Sequence, residues 1–199
     1  AYLRGRALVE KNAGETTDRA ALAQFDTAIS IDPNYAAAHA LRASMLAAIA
    51  NQTDKPDEVR GLYDASIAAA QRAISLAPKL AMGHDALGFA LNNGRLDTGA
   101  ARTAFTRARD LAPGDADILR SYATFSAYDG SPTEAAPPIE RAMALDPLNA
   151  RVFRSAGNIA YAAHDYPATI RWMEKAQAMN AGISIAHFAI GNARLMMGD

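Results

Sequence analysis

Four histidines, 21 carboxylates and 20 cationic side chains are the groups in this 199-residue chain that could carry chemistry, and cysteine is absent. Without cysteine there is no thiol nucleophile, no disulfide and no thiolate metal ligand. A zinc site needs converging ligands. His39, His84 and His187 instead each lie six residues after a helix-closing segment that recurs along the chain, a slot that Leu119 and Phe153 fill elsewhere. They read as bulky packing residues in separate structural units, and His164 falls in a turn, so no metal or cofactor is expected. Carboxylates are scattered, and the Asp57-Glu58 pair sits where a helix should start and its dipole favours negative charge. No Ser/His/Asp set has motif context and no G-x-x-x-x-G-K-[ST] phosphate loop occurs; Asn92-Asn93-Gly94-Arg95 reads as a helix end. The chemistry left is recognition. Arginine pairs with carboxylates, asparagine bonds peptide backbone, and tyrosine offers rigid apolar area with a polar tip.

Those groups must be positioned by a scaffold, and composition indicates which kind. Alanine accounts for 48 residues, against 13 glycines and 9 prolines, and alanine is the strongest helix former. Charge is balanced throughout: residues 1–100 carry 10 basic and 11 acidic side chains, residues 101–199 carry 10 of each. Neither half shows the basic excess of a nucleic-acid-binding domain. No apolar run is long enough for a membrane span. Arg4, Arg6 and Glu10 interrupt any signal-peptide core at the start. The length suits one domain or a tight pair.

The scaffold is repetitive. Ile31-Asp32-Pro33, Leu76-Ala77-Pro78, Leu111-Ala112-Pro113 and Leu145-Asp146-Pro147 each close a helical pattern, and Met179-Asn180-Ala181 stands where the next should fall. The prolines are 45, 35 and 34 residues apart. Five residues before each boundary stand Ala28, Ala73, Ala108, Ala142 and Ala176. Chance gives such a run roughly once in a thousand at this alanine content, which marks a true repeat. Eight before come Phe25, Ala70, Phe105, Ile139 and Met173; twelve before, the small Ala21, Ser66, Ala101, Ala135 and Thr169; ten after, the small Ala43, Gly88, Ala123, Gly157 and Gly191. Two helices per repeat explain the pattern: small residues let backbones approach, and larger apolar ones fill the space between hairpins.

Punctuation agrees. Gly94, Gly130 and Gly198 fall where first helices should stop, and Asp97 and Asp165 suit the cap of the helix that follows. Ser131-Pro132-Thr133-Glu134 carries an N-cap serine, a proline at the first helical position and a glutamate three residues on.

The spacing and residues resemble tetratricopeptide repeats, helical hairpins that build many scaffolds. Gly157 through Ala181 follows the family pattern, with Asp165-Tyr166 in the turn and Ala176 in the second helix. The resemblance implies an all-α, right-handed α-α superhelix over residues 1–199, with repeats at 2–33, 34–78, 79–113, 114–147 and 148–181 and a partial sixth at 182–199. The opening is similar to tetratricopeptide regions of bacterial signalling proteins, in Tyr2-Leu3-Arg4-Gly5-Arg6 and in Ala28-Ile29-Ser30-Ile31-Asp32-Pro33-Asn34-Tyr35 through Ala40. In those proteins the region follows a winged-helix DNA-binding domain or a nucleotide cyclase. This implies a cytoplasmic fragment of a longer signalling protein.

Three departures carry expectations of their own. The second repeat is 11 residues longer than 34, and the surplus should lie within Asn51–Gly61 as a longer turn or an extended second helix. Pro137-Pro138 should kink or break the second helix of the fourth repeat. The last helix, with Ile185, Ile190, Leu195, Met196 and Met197, lacks a pairing helix and offers a route to self-association.

A stack of hairpins lines its concave face with the first helix of each repeat. Slots seven and eleven residues past each boundary share that face: Ala40 and Ser44, Asp85 and Phe89, Arg120 and Thr124, Arg154 and Asn158, Phe188 and Asn192. Asn92, Asn93, Tyr128 and Tyr161 lie nearer the other end of these helices. The expected activity is non-catalytic binding of a protein or peptide there, without direct nucleic-acid or membrane binding. Charge and residue pattern both disfavour the pentatricopeptide type of RNA recognition, despite its similar period. The carboxylate clamp of chaperone-binding family members is matched by Arg154 and Asn158, with arginine for lysine. Its next repeat has Ala189 where asparagine is required, so chaperone tails are not the expected ligand.

Overall fold

A computed structural model describes residues 1–11, 14–179 and 184–198, with the side chains of Pro132, Ser184 and Ile185 left out. The boundary residue Ala181 and the Ile185 side chain thus lie outside the described residues. Every regular element among those described is helical, in two compact units.

The first unit, Ala1–Leu111, holds α1 (Tyr2–Lys11), α2 (Glu15–Ile31), α3 (Ala36–Gln52), α4 (Pro56–Leu76), α5 (Ala81–Ala90) and α6 (Thr98–Leu111); a π-helical turn, Leu91–Arg95, continues α5. The second, Ala112–Asp199, holds α7 (Ala116–Tyr128), α8 (Pro132–Leu145), α9 (Ala150–Ala162), α10 (Tyr166–Met179) and α11 (Ser184–Met197). Within each unit consecutive helices pack as hairpins, the odd-numbered helix first.

The repeat positions build the core. The alanines five residues before each boundary are all buried, as are Phe25, Ala70, Phe105, Ile139 and Met173. Three first helices receive the large side chain of the second helix over a glycine. A Cβ on Gly5 would lie 2.6 Å from the Phe25 ring, on Gly88 2.9 Å from the Phe105 ring, and on Gly157 2.9 Å from the Met173 thioether chain. Burying each large group stabilises by about 1.5–3 kcal/mol, and the absent Cβ is what admits it. Ser66, fully buried, donates its hydroxyl across the hairpin to the Ala43 carbonyl at 2.8 Å.

The surplus of the second repeat is helix. Thr53–Lys55 is a three-residue turn, the same length as the turns joining α7 to α8 and α9 to α10. With 17 and 21 residues, α3 and α4 are four and seven longer than α7 (13) and α8 (14). The expected extension of the second helix is therefore present, and the first is extended too. Tyr63, directly after the seven added residues of α4, bonds Asn51 of α3 through its hydroxyl. Acidic Asp57 and Glu58 occupy the first turn of α4, and Glu58 pairs with Lys55 at 3.2 Å and with Arg19 at 3.1 Å, which lower its pKa from the ordinary carboxyl value.

Three local expectations are corrected. Gly94 is not a left-handed helix stop. It lies inside the π turn beneath Tyr63, where a Cβ would fall 2.5 Å from the ring, and Leu96 takes the left-handed position at φ 54°. Ser131 does not cap α8 with its side chain; its backbone carbonyl takes the Glu134 amide at 3.0 Å. Pro137 and Pro138 do not break α8, which runs unbroken through both. Neither proline brings an amide to the helix turn before it, which starts at Thr133 and Glu134, and both of those residues are exposed. The missing bonds still cost stability. Pro137→Ala at this exposed site is expected to raise the unfolding free energy by about 1–2 kcal/mol in a denaturant titration, net of the entropy proline removes from the unfolded chain. The other caps hold: Asp97 accepts from the Ala100 amide at 2.9 Å and Asp165 from Ala168 at 3.0 Å, while Gly130 and Gly198 adopt positive φ.

Candidate binding face on the second unit

In the second unit α7 and α9 lie side by side, each cut to about 3.5 turns by a boundary loop before it and a three-residue turn after it. The asparagine side chain of Asn149 starts α9 by accepting the Arg151 amide at 3.0 Å, and Asp115 starts α7 by accepting from Asp117 and Ile118. These caps set the phase of both helices. Leu119, Ala123, Val152 and Ala156 consequently turn into the core, and Arg120 and Arg154 lie one residue or more off that stripe.

The two guanidiniums are close enough to interact, and they differ in what holds them. The Arg120 side chain is only 15% exposed; its Nε donates to Asp117 Oδ1 at 3.2 Å and its Nη2 to Ser121 Oγ. Arg154 is half-buried, and no hydrogen-bond or ion-pair partner meets its guanidinium among the described residues. Desolvation, and then the neighbouring charge of Arg120, push its pKa below the ordinary arginine value. A partly dehydrated cation beside a like charge is unfavourable by itself, and an anion placed against it would relieve both causes.

Asn158, one turn beyond Arg154 on the same helix, is half-buried with its amide unengaged among the described residues. Thr124 spends its hydroxyl on the Arg120 carbonyl at 2.8 Å. Tyr161 packs edge-on against Tyr166 at 5.7 Å, and the Tyr166 hydroxyl meets His164 Nδ1 at 3.0 Å. Tyr128 is exposed at the end of α7. Phe188 is exposed on α11 and Asn192 half-buried. Ser121, Tyr166 and His164 extend this set and were not anticipated. Ser121 adjoins Arg120 in sequence, a usable signal, whereas the His164–Tyr166 contact depends on His164 adopting φ 60°.

In the first unit the anticipated residues are less suited to grip. Asp85 is half-buried on α5, Phe89 is exposed, and Asn92 and Asn93 ride on the π turn. Asn93 donates its amide back to the Phe89 carbonyl at 2.9 Å. Ala40 is fully buried and Ser44 bonds the Ala40 carbonyl. The histidine slot has a role beyond bulk: His39 and His84 place Nε2 3.0 Å from the Pro33 and Pro78 carbonyls, tying each helix to the turn before it. No cluster of three metal-ligating side chains occurs among the described residues, and no described helix is long and apolar enough to cross a membrane.

Hairpins seated on small-residue notches define the class: an α-helical repeat protein. The particular repeat is the tetratricopeptide fold, as the solved structures it resembles show. TTC0263, a thermophilic TPR protein of Thermus thermophilus, superposes with a TM-score of 0.74 at 16% identity, covering 98% of this chain and 100% of its own. The human IFIT1 dimer with m7Gppp-AAAA gives 0.80 at 18% identity over 98% of this chain. YrrB, a TPR protein with an unusual peptide-binding site, gives 0.57 at 19% over 94% of this chain and 89% of its own. The chain spans 45% of the length of IFIT1. No protein-family model and no curated protein sequence matches it.

Proposed function

We propose that the chain is a non-catalytic protein-interaction module that binds a peptide or protein segment across α7 and α9. The carrying observation is Arg154: a half-buried guanidinium with no counter-ion among the described residues, beside a second guanidinium and an unengaged asparagine amide. Arginine forks match carboxylates in two parallel hydrogen bonds, and Asn158 can bond peptide backbone, so the favoured segment carries an aspartate, glutamate or terminal carboxylate. The tetratricopeptide fold supports a scaffold role, and YrrB is described as peptide-binding. IFIT1 is described with m7Gppp-AAAA, and phosphate would also satisfy the arginines. A net charge of -1 gives no general attraction for a nucleic acid, which favours peptide.

The finer assignment is to a cytoplasmic module of a bacterial signalling or regulatory protein, joined to a winged-helix or cyclase domain. Its support is the resemblance of the opening residues. A second reading, self-association that regulates such a fused domain, draws on the exposed Phe188, Leu195, Met196 and Met197 of α11. Peptide-display selection on the immobilised chain tests the leading reading. Acidic peptides are expected to be enriched, and the enrichment should vanish with Arg120→Met/Arg154→Met. Equal recovery by both proteins, or preference for an oligoadenylate over every peptide, overturns it.

A further inference from the structure

The cations on the face of α7 and α9 can be counted against the carboxylates that meet them. Arg120 and Arg154 bring two positive charges to it. One carboxylate answers them: Asp117 Oδ1 lies 3.2 Å from Arg120 Nε, and no other carboxylate pairs with either guanidinium among the described residues. The face therefore carries one surplus positive charge. Its setting is half dry. The Arg120 side chain is 15% exposed, Arg154 and Asn158 are half-buried, and their neighbours in sequence, Phe153, Ser155, Gly157 and Ile159, are buried. Asp117 stands at the wetter end, in the first turn of α7, with its side chain 54% exposed.

What such a face accepts depends on the charge of the incoming group, because the cost of drying an ion rises with the square of its charge while attraction rises only in proportion. A carboxylate brings one negative charge and cancels the surplus. A phosphoryl group near neutral pH brings nearly two. That leaves negative charge uncompensated in a half-dry setting and adds repulsion from Asp117. We propose, resting on the peptide-binding reading of this face, that Asp117 is a specificity-determining residue: it sets the face to take a single carboxylate of a peptide and to reject phosphoryl groups. The charge of Asp117 is what matters, and it can be removed without disturbing its surroundings. Asp117→Asn keeps an oxygen that can accept from Arg120 Nε and leaves Asp115 capping α7, but it raises the surplus from one positive charge to two.

The probes are three blocked alanine pentapeptides with aspartate, cysteate or phosphoserine at the centre. Each is titrated into the nitrogen-15-labelled 199-residue protein and followed by the NMR signals of α9. Cysteate separates charge from shape, since it is tetrahedral like a phosphoryl group but singly charged. In the unaltered protein the aspartate and cysteate peptides are expected to bind within about threefold of each other, and the phosphoserine peptide about tenfold more weakly. Repulsion by a half-exposed carboxylate is modest, and the factor it imposes on a doubly charged group is the square of that on a single charge. Asp117→Asn should therefore tighten the aspartate and cysteate peptides by about threefold and the phosphoserine peptide by about tenfold, shrinking the phosphoserine deficit to about threefold. Phosphoserine bound as tightly as aspartate by the unaltered protein, or Asp117→Asn moving all three peptides equally, overturns the role of Asp117 while the peptide-binding reading stands. Rejection of cysteate along with phosphoserine also overturns it, since shape rather than charge would then select. If no peptide shifts the signals of Arg154 and Asn158, the role of Asp117 falls together with the reading beneath it.

Discussion

Replacing Arg154 with methionine is expected to cost about 2–4 kcal/mol of affinity for an acidic peptide partner, the range for deleting one member of a partly buried charge pair. The same substitution should leave the folded chain as stable as before, or more so. Methionine keeps most of the apolar stem that packs along the helix. What it removes is a guanidinium that desolvation and the charge of Arg120 both disfavour. Because the guanidinium remains protonated through the neutral range even with a lowered pKa, the penalty is constant there, and the stability comparison can be made at any neutral pH. Titration calorimetry and thermal unfolding on the same pair of proteins check both halves. Affinity lost together with stability would mean Arg154 is structural. Affinity kept would mean the ligand goes elsewhere. Trading stability for a poised charge is the ordinary cost of a binding site.

The second large effect separates two glycines that occupy the same repeat slot. Gly88→Leu is expected to destabilise the chain by about 3 kcal/mol. Its Cβ alone would meet the base of the Phe105 ring at 2.9 Å, and the ring, buried under α5, cannot swing clear. Gly191→Leu meets nothing within 4 Å. It should be neutral or stabilising by up to about 1 kcal/mol, since leucine replaces a glycine inside a helix. Parallel urea titrations decide the point. Similar losses at both positions would show that something covers Gly191, and similar tolerance would show that the Phe105 contact is dispensable.

These contrasts bear on how much the chain discloses before it folds. The hairpin boundaries were legible because Asp-Pro, Ala-Pro and their alanines five residues earlier recur at fixed distance, and that period follows directly from two helices and two turns. The buried positions were legible for the same reason: a slot that is small five times over must face a neighbouring helix. Less legible were the places where one contact overrides a local preference. Gly94 looks like a helix stop, but it is needed because Tyr63 of α4 lies against it. Ser131 has the sequence of a cap and does not act as one, because its own carbonyl already takes the Glu134 amide. Pro137-Pro138 should break a helix and does not: α8 runs through both, and the residues one turn earlier, Thr133 and Glu134, are exposed.

The candidate site divides the same way. Sequence by itself determined that this is an all-α hairpin repeat, which residues close its core, and that Arg154 and Asn158 lie one turn apart on one helix, since each of these follows from helical period and side-chain size. It could not determine which polar residues are already spent. Thr124 and Asn93 bond their own helices, Arg120 has Asp117, and Arg154 has no partner among the described residues. These bonds join residues only three or four apart, so sequence offers them as possibilities; which of them form, and that Arg154 meets no counter-charge among the described residues, is decided by how the helices pack.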